Sequence, residues 1–430
     1  MKIQLPSRQY NDRPFWVLFI MLIVVAIIAL FSAGSTLAYK NDSLLGPVMQ
    51  QTLFIFMGVV VAYLVQYLPT WAVRLGGVVI LSVALLCLYI MLIPGNPFST
   101  ELNGAVRWFN FFGIRFQPSE LAKLGLIIVV SDMLTRRGTD EEKKKRFFWS
   151  LGLTCVTCLP IMMNNLSTAL LLAFIVLLMW ILSRQPAKYI LSLIGIALVA
   201  LALGYTVIEF GYVRPHRNLG GPFKRAITQV KRIDALVEEI RQPEAEFKLT
   251  DQNYQRSIAK VAVMRGGKTP FGVLPGNSQE RDFLPLAYAD YIFAIIVEET
   301  GVIGALLLIM LYLAILVRAC YVSSRYEDYA AMLMMMGLAL MITCQALVSM
   351  AVSVGIGPVT GQPLPLVSRG GTSAVVTSLY FGIMMCVARE QNMLKARQEA
   401  SVLANRELTP EIRLDEDIQK NTNNLPEIEL

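Results

Sequence analysis

The chain has 430 residues, of which 55% are hydrophobic and only 16% are charged. Soluble proteins carry about 25% charged residues, and a soluble domain of this length needs more polar surface to cover its core. The composition therefore excludes a soluble enzyme, a disordered protein and a secreted disulfide scaffold. It indicates a polytopic membrane protein, in which the net charge of +7 reflects anchoring loops and not binding to nucleic acid.

Long apolar runs set the predicted topology, because a spanning helix needs about 20 predominantly apolar residues. We predict an all-α membrane protein with ten transmembrane helices and a large periplasmic loop between spans seven and eight. The predicted spans are 15–35, 48–67, 72–93, 118–134, 147–163, 167–183, 189–208, 301–318, 330–354 and 373–389.

Lysine and arginine residues mark one side of this bundle. The run Lys143–Arg146 lies between spans four and five, and the other cation-rich connections fall on the same side if the spans alternate. The positive-inside rule places this side and both termini in the cytoplasm. We therefore divide the chain into a cytoplasmic segment, a membrane domain with the long extracytoplasmic loop 209–300, and a polar cytoplasmic tail expected to be disordered. Their bounds are 1–14, 15–389 and 390–430.

The segment ELNGAVRWFNFFGIRFQPSELAKLG enters span four from the outer side. Pro118 suits the first turn of a helix, and Gln117 or Ser119 can cap it. Glu120 and Lys123 are three residues apart and share a helix face. Two alternatives remain open for Lys123, which either pairs with Glu120 or faces a polar cavity.

An acidic residue, Asp290, opens the apolar run 291–297 after a glycine-rich stretch. A carboxylate in this setting is costly unless it is used or paired, so Asp290 is a candidate general base. The alternative is that Asp290 caps a helix. For Glu298 and Glu299 we expect a structural role, in which they pair with cations of the long loop.

The last outer segment, GIGPVTGQPLPLVSRGGTS, holds three prolines and five glycines between two apolar spans. It cannot form regular helix, so at membrane depth it must be buried in protein or line a cavity. Ser368, Gly370 and Gly371 can present backbone N–H groups to an anion, or the turn serves packing alone. Asn165 is expected to cap span six. Together these segments compose an outer-leaflet site for an anionic, lipid-linked substrate.

Three motifs occur in the order NGAVRWFNFFGIRFQPSELAKL, FLPLAYADYIFAIIVEETGVIG and GPVTGQPLPLVSRGGTS. They resemble signature segments of the SEDS (FtsW/RodA/SpoVE) family, and the resemblance extends over about residues 15–390. It implies a peptidoglycan glycosyltransferase that polymerises lipid II into glycan strands at the outer face of the inner membrane and releases undecaprenyl pyrophosphate. The implied partners are the growing glycan strand, a class B penicillin-binding protein, other division-complex proteins and membrane lipids.

Within the family, the end of span one favours FtsW and septal synthesis. A RodA-type elongation polymerase, a lipid II flippase and a non-catalytic division scaffold remain alternatives. The family usually has an acid where this chain has Asn164-Asn165, and a tyrosine where it has Arg369. The stretch 224–250 is unusually charged, which leaves partner contacts there open.

The resemblance assigns the catalytic role to Asp290. A divalent cation, Mg²⁺ or Mn²⁺, is compatible with a diphosphate leaving group, although the chain has no metal motif and only one histidine, His216. The implied substrate-binding residues are Lys123, Glu120, Arg107, Trp108, Gln117, Ser368, Arg369, Gly370 and Gly371.

Overall fold

The computed structural model describes residues 10–33, 45–93, 95–102, 105–111, 114–210, 230, 254–284, 288–325, 328–357 and 360–422. These residues are mostly helical. The helices are α1 (Arg13–Ala33), α2 (Leu45–Val65), α3 (Thr70–Ile90), α4 (Pro118–Thr135), α5 (Asp140–Asn164), α6 (Leu166–Leu182), α7 (Ala187–Ile208), α8 (Tyr254–Gly266), α9 (Ile292–Ser323), α10 (Tyr329–Ser353) and α11 (Thr372–Thr422). The strands are β1 (Ser99–Leu102), β2 (Ala105–Phe111) and β3 (Ile114–Phe116).

Eight of these helices are long and apolar enough to cross a membrane, namely α1, α2, α3, α5, α7, α9, α10 and α11. The two remaining predicted spans, α4 and α6, are not among these eight helices, because α4 is more polar and α6 is shorter. Helix α6 is apolar but has 17 residues, and α4 carries Glu120, Lys123 and Asp132. The described structure therefore confirms a helical membrane fold with eight candidate spans.

The prediction of a purely helical protein is wrong for residues 99–116. Strands β1, β2 and β3 form an antiparallel sheet in that order. The segment is rich in aromatic and β-branched residues, which favour strands. Phe109 is buried between Phe98 and Phe116 and packs against Cys87 and Met91 at the end of α3. The sheet is thereby held against the helical bundle.

Helix α4 lies at the centre of the bundle and contacts α3, α5, α6, α10 and α11. Its contact with α3 is close, because a side chain at Gly77 would overlap Ile128 and one at Gly125 would overlap Leu81. Small residues allow membrane helices to approach in this way. Helix α7 packs against α6 and is otherwise largely exposed. The functional segments thus rest on a tightly packed central helix.

Ion pairs join the helix ends that the charge pattern predicts on one side. The Arg74 guanidinium lies 2.8 Å from the Asp328 carboxylate and 3.6 Å from that of Asp132. Arg318 pairs with Asp12 at the start of α1. These contacts hold the starts of α1, α3 and α10 beside the ends of α4 and α9, and they define a cation-rich end of the bundle.

Gly301 divides α9 into two parts. Its φ of 68° and ψ of −163° are not helical, and they favour glycine. The first part, 292–299, is buried inside the protein, and the second begins where span eight was predicted. Positive φ at this position therefore lets one apolar sequence form both a buried segment and a candidate span.

Helix α11 continues beyond the predicted end of span ten to Thr422. Residues 390–405 contain many good helix formers such as alanine, glutamate, glutamine, arginine and leucine, which favours helix there, and the disorder of the tail stays a prediction. Residues 423–430 lie outside the described residues. So does the unusually charged stretch 224–250, apart from Val230.

Candidate active site

Asp290 precedes the buried first part of α9. The helix begins at Ile292, and Tyr291 occupies the N-cap position. Asp290 is therefore one residue outside the cap, in a turn formed by residues 288–290, and it is only partly buried. Asp290 therefore does not occupy the N-cap position that the capping alternative requires. It lies in the partly buried turn just before the buried apolar run.

Arg107 and Asp290 border the same small space, although 183 positions in the printed sequence separate them. The shared neighbour is Gly361, whose φ is +61°. A Cβ placed on Gly361 would lie 3.4 Å from Arg107 Nη1 and 3.7 Å from Asp290 Oδ2. The Arg107 guanidinium and the Asp290 carboxylate therefore both reach Gly361, and a carboxylate placed near a cation suits a group that takes a proton beside developing negative charge.

Ser368 and Arg369 hold the turn that carries Asp290. The Ser368 hydroxyl donates to the Ala289 carbonyl at 2.6 Å and accepts from the Leu364 N–H at 2.8 Å. The Arg369 N–H donates to the Tyr288 carbonyl at 3.0 Å, and its guanidinium carbon lies 5.4 Å from the centre of the Tyr288 ring. Ser368 therefore positions Asp290, and Arg369 adds a cation beside the turn.

The rest of the last loop, residues 360–371, is fastened to several helices. Its hydrogen bonds run from Gln362 Nε2 to Thr168 Oγ1 at 3.2 Å, from Gln345 Nε2 to the Pro363 carbonyl at 3.1 Å, from the Tyr312 hydroxyl to the Pro365 carbonyl at 2.6 Å, and from the Gly371 N–H to Gln51 Oε1 at 3.1 Å. Anchored this way, the loop satisfies the buried-backbone requirement of a non-helical segment. The Gly371 N–H, which was predicted to bind an anion, donates to Gln51 instead. Gly370 lies one residue earlier, just before α11.

Lys123 is enclosed by protein. Its ammonium lies 2.8 Å from Glu120 Oε1 and 2.9 Å from Gln345 Oε1, and the side chain is 1% exposed. This geometry favours the paired alternative over a cation open to a cavity. Because Gln345 also donates to the Pro363 carbonyl, the Lys123–Glu120 pair is connected to the last loop through Gln345.

Gln117 and Trp108 belong to the segment that leads into α4, with Trp108 in β2 and Gln117 directly after β3. Gln117 is the N-cap residue of α4, Pro118 follows at the predicted first-turn position, and the Gln117 amide donates to Ser119 Oγ at 3.1 Å. Trp108 is partly buried. Arg107 is the extra residue of an irregularity in β2, because Thr100 pairs with Trp108 and Glu101 pairs with Val106, and a bulge of this kind redirects a side chain locally. Asn165 caps α6 as predicted, accepting from the Thr168 N–H.

Glu298 and Glu299 have the structural role expected for them. Glu298 accepts from the Ser278 hydroxyl at 2.5 Å and lies 3.9 Å from Arg265 Nη1. Glu299 accepts from Ser32 at the end of α1 and from the Gly276 N–H at 3.1 Å. The two buried carboxylates thus fasten the outer segment 265–281 onto α9.

The described residues around Asp290 include no group of side chains that could hold a metal ion without the substrate. Within the described parts of the chain, no three histidine, cysteine, aspartate or glutamate residues are grouped closely enough to bind a metal ion. Mg²⁺ commonly uses one or two carboxylates together with substrate phosphates. A divalent ion here would accordingly depend on the substrate for most of its ligands.

Sequence reasoning missed two residues of the site. Gly361 was noticed only as one of several glycines, because its role depends on Arg107 approaching from a distant strand. Gln345 is a polar residue in the otherwise apolar α10, and buried polar residues in membrane helices commonly serve function. That signal was present in the sequence.

The sequence matches the FtsW/RodA/SpoVE family, described as cell cycle proteins, over residues 12–393. The chain belongs to this family. FtsW/RodA/SpoVE relatives include the Escherichia coli protein named peptidoglycan glycosyltransferase MrdB, which is 28% identical over 71% of this chain and 76% of MrdB. A probable peptidoglycan glycosyltransferase FtsW from Nitrosomonas europaea is 29% identical over 88% of this chain and 92% of its own length.

Solved FtsW/RodA/SpoVE-like structures share the fold. RodA from Thermus thermophilus superposes with a TM-score of 0.60 at 22% identity, covering 89% of this chain and 97% of RodA. A chain from a peptidoglycan synthase complex that coordinates polymerization and crosslinking gives a TM-score of 0.66 at 24% identity, covering 89% of this chain and 98% of its own.

Proposed function

We propose that the chain is a peptidoglycan glycosyltransferase that polymerises lipid II at the outer face of the cytoplasmic membrane. The observation that carries this proposal is the placement of Asp290 and Arg107 beside the same residue, Gly361. Family membership and the names of the relatives support the reaction class.

In the proposed reaction, the 4-hydroxyl of an acceptor GlcNAc attacks the anomeric carbon of the MurNAc at the end of the growing strand. The new carbon–oxygen bond forms as the bond to the diphosphate breaks, with inversion at that carbon. Asp290 takes the hydroxyl proton, and the bonding electron pair leaves with undecaprenyl pyrophosphate. A well-placed base contributes about 10²–10⁴-fold to such a step.

Two arginines serve the departing diphosphate in this proposal. Arg107 stands beside Asp290 across Gly361, and Arg369 follows the serine that holds the Asp290 turn. Guanidinium groups bind phosphate oxygens through paired hydrogen bonds, which suits charge that develops during bond breaking. Trp108 in β2 and Gln117 at the start of α4 are assigned to the sugars in this proposal.

Lys123, Glu120 and Ser368 act as positioning residues. The Lys123–Glu120 pair is buried and reaches the last loop only through Gln345. Ser368 bonds the backbone just before Asp290. Gly370 and Gly371 give the chain its turn into α11, where Gly371 has a φ of +50°.

The membrane topology proposed with this function has ten spans, because α4 and α6 lie within the bundle between helices that are themselves candidate spans. Helix α4 starts at the site and ends at the cation-rich end. Both termini then lie in the cytoplasm and the site on the periplasmic side of the inner membrane.

A class B penicillin-binding protein is the proposed partner, and the likeness to a chain of a peptidoglycan synthase complex supports it. Septal synthesis is the proposed cellular role, since the FtsW relative matches 88% of the chain and MrdB 71%. A complementation assay in depleted cells distinguishes septal synthesis from elongation. Rescue of cells depleted of FtsW supports septal synthesis, whereas rescue only of cells depleted of MrdB assigns elongation.

A detergent assay tests the activity. Purified chain and partner are incubated with lipid II, and glycan strands are resolved by gel electrophoresis. A glycosyltransferase forms polymer in detergent. A flippase forms none, because it makes no glycosidic bond and has no bilayer across which to move lipid II. Absence of polymer from a monodisperse complex with a competent partner would contradict the proposal.

A further inference from the structure

An open groove lies along one face of α5 near its start. It is lined by Glu141, Lys144, Lys145, Phe148 and Trp149. These residues are spaced three to four apart and so occupy one face of the helix. Along the axis, the groove passes from the acid to the two cations and then to the two aromatic rings. The same face continues into the exposed apolar residues Val156 and Leu159.

The two groove lysines differ from their neighbours in the run Lys143–Arg146. Lys143 pairs with Asp140 at 3.0 Å, and Arg146 donates to the Arg137 carbonyl at 3.2 Å. Lys144 and Lys145 are exposed and form no ion pair with any residue that the structure describes. The groove thus contains two cations and one acid, Glu141, which leaves it with a net positive charge.

The N–H groups at the start of α5 are not the source of the anion-binding capacity of this groove. Thr139 and Glu142 form a capping box in which the N–H groups of these two residues are satisfied. Glu141 is the only groove residue in the first turn, Lys144 and Lys145 follow it in the next turn, and side chains form the groove walls. Its capacity to hold an anion therefore depends on the lysines and not on the helix terminus.

Exposed aromatic rings lie next to the cations. Trp149 is 64% exposed and Phe148 is 46% exposed, and the Phe148 ring packs edge-on against Tyr189 of α7 with centroids 5.8 Å apart. Tryptophan beside lysine at the end of an apolar helix is typical of the boundary between headgroups and acyl chains. A ligand that fits here has an anionic head and an apolar tail.

We propose that this groove binds the headgroup of an anionic phospholipid in the membrane leaflet at the cation-rich end. The ammonium groups of Lys144 and Lys145 contact the phosphate, while Trp149 and Phe148 pack against the glycerol and the first acyl carbons. The site requires that α5 span the membrane, and it is independent of glycosyl transfer at the opposite end.

Native mass spectrometry of the full chain in detergent tests the proposal, with phosphatidylglycerol and phosphatidylcholine as the titrated lipids. The variant is Lys144→Gln with Lys145→Gln. The control is Arg137→Gln with Lys143→Gln, which removes the same charge from the same connection outside the groove. We expect phosphatidylglycerol to bind the groove variant about 30-fold more weakly than wild type, the loss typical of two lysines near an anionic surface. The control should change binding less than about threefold.

Equal weakening by both variants would overturn the proposal, because the effect would then be diffuse surface charge. Equal affinity of the wild type for both lipids would also overturn it. Competition by soluble glycerol phosphate as strong as by phosphatidylglycerol would assign the groove to a free anion. Melting temperatures measured in phosphatidylcholine should be the same for wild type and both variants, and a lower value for the groove variant alone would assign the lysines a structural role.

Discussion

Replacing Lys123 with methionine removes one member of a buried ion pair. Glu120 would lose a partner at 2.8 Å, and Gln345 Oε1 would lose a donor at 2.9 Å. Removing one partner of a buried pair typically costs about 3–5 kcal/mol, because the other charge stays buried. The Glu120 side chain is 9% exposed, so some hydration remains and we expect the lower end of this range.

The double variant Lys123→Met with Glu120→Gln separates a positioning role from a direct one. Removing both charges avoids the uncompensated carboxylate, which leaves mainly the lost hydrogen bond to Gln345, about 1 kcal/mol. Apparent melting temperature in detergent should therefore rise from the single to the double variant. Lipid II polymerisation should recover in parallel, since no unpaired carboxylate is then buried beside Gln345, whose own bond to the Pro363 carbonyl is retained.

The result that refutes this reasoning is a double variant that melts near wild type yet forms no polymer. The Lys123 charge would then act on the substrate, and the enclosed geometry would not represent the working state. A single variant as stable as wild type would likewise show that the pair adds nothing to folding.

Two further substitutions test the supports of the site. Ser368→Ala removes the hydroxyl that bonds the Ala289 carbonyl and should lower stability by about 1–3 kcal/mol and slow polymerisation, whereas the nearby Ser373→Ala should leave the rate unchanged. Equal rates in both variants would contradict the positioning role. Glu298→Gln weakens the contact to Ser278, so limited proteolysis should cut the segment 265–281 faster than in wild type. An unchanged cleavage rate would mean that other contacts hold this segment.

Apolar runs and charge bias were sufficient to predict most of the helices, because length and hydropathy are local properties. The start of α4 at Pro118 and the cap at Asn165 agreed with prediction for the same reason. The sheet at residues 99–116 was missed although its strands pair in chain order, because the prediction weighed only helix-length apolar runs and passed over Asn103-Gly104, a dipeptide common in hairpin turns. The continuation of α11 beyond span ten was not predicted, because polarity outweighed helix propensity in the prediction.

The candidate site was predicted as a set of segments but not as a geometry. The sequence indicated Asp290 and the last loop, and the structure adds that Ser368 bonds the backbone before Asp290. Arg107 reaches Gly361 only through the sheet, so their proximity could not follow from spacing. The enclosure of Lys123 depends on Gln345, which lies 222 positions away. Long-range contacts of this kind decide which residues touch substrate.

Polymerisation by Asp290→Asn, measured beside Asp282→Asn, tests the central claim most directly. Both variants remove one carboxylate from the same outer segment, but the Asp282 side chain is 52% exposed and lies next to Arg281. With partner and lipid II in detergent, Asp290→Asn should polymerise about 10²–10⁴-fold more slowly than wild type, and Asp282→Asn should stay within about twofold. Strand formation by Asp290→Asn at the rate of Asp282→Asn would contradict the assignment of Asp290 as the base.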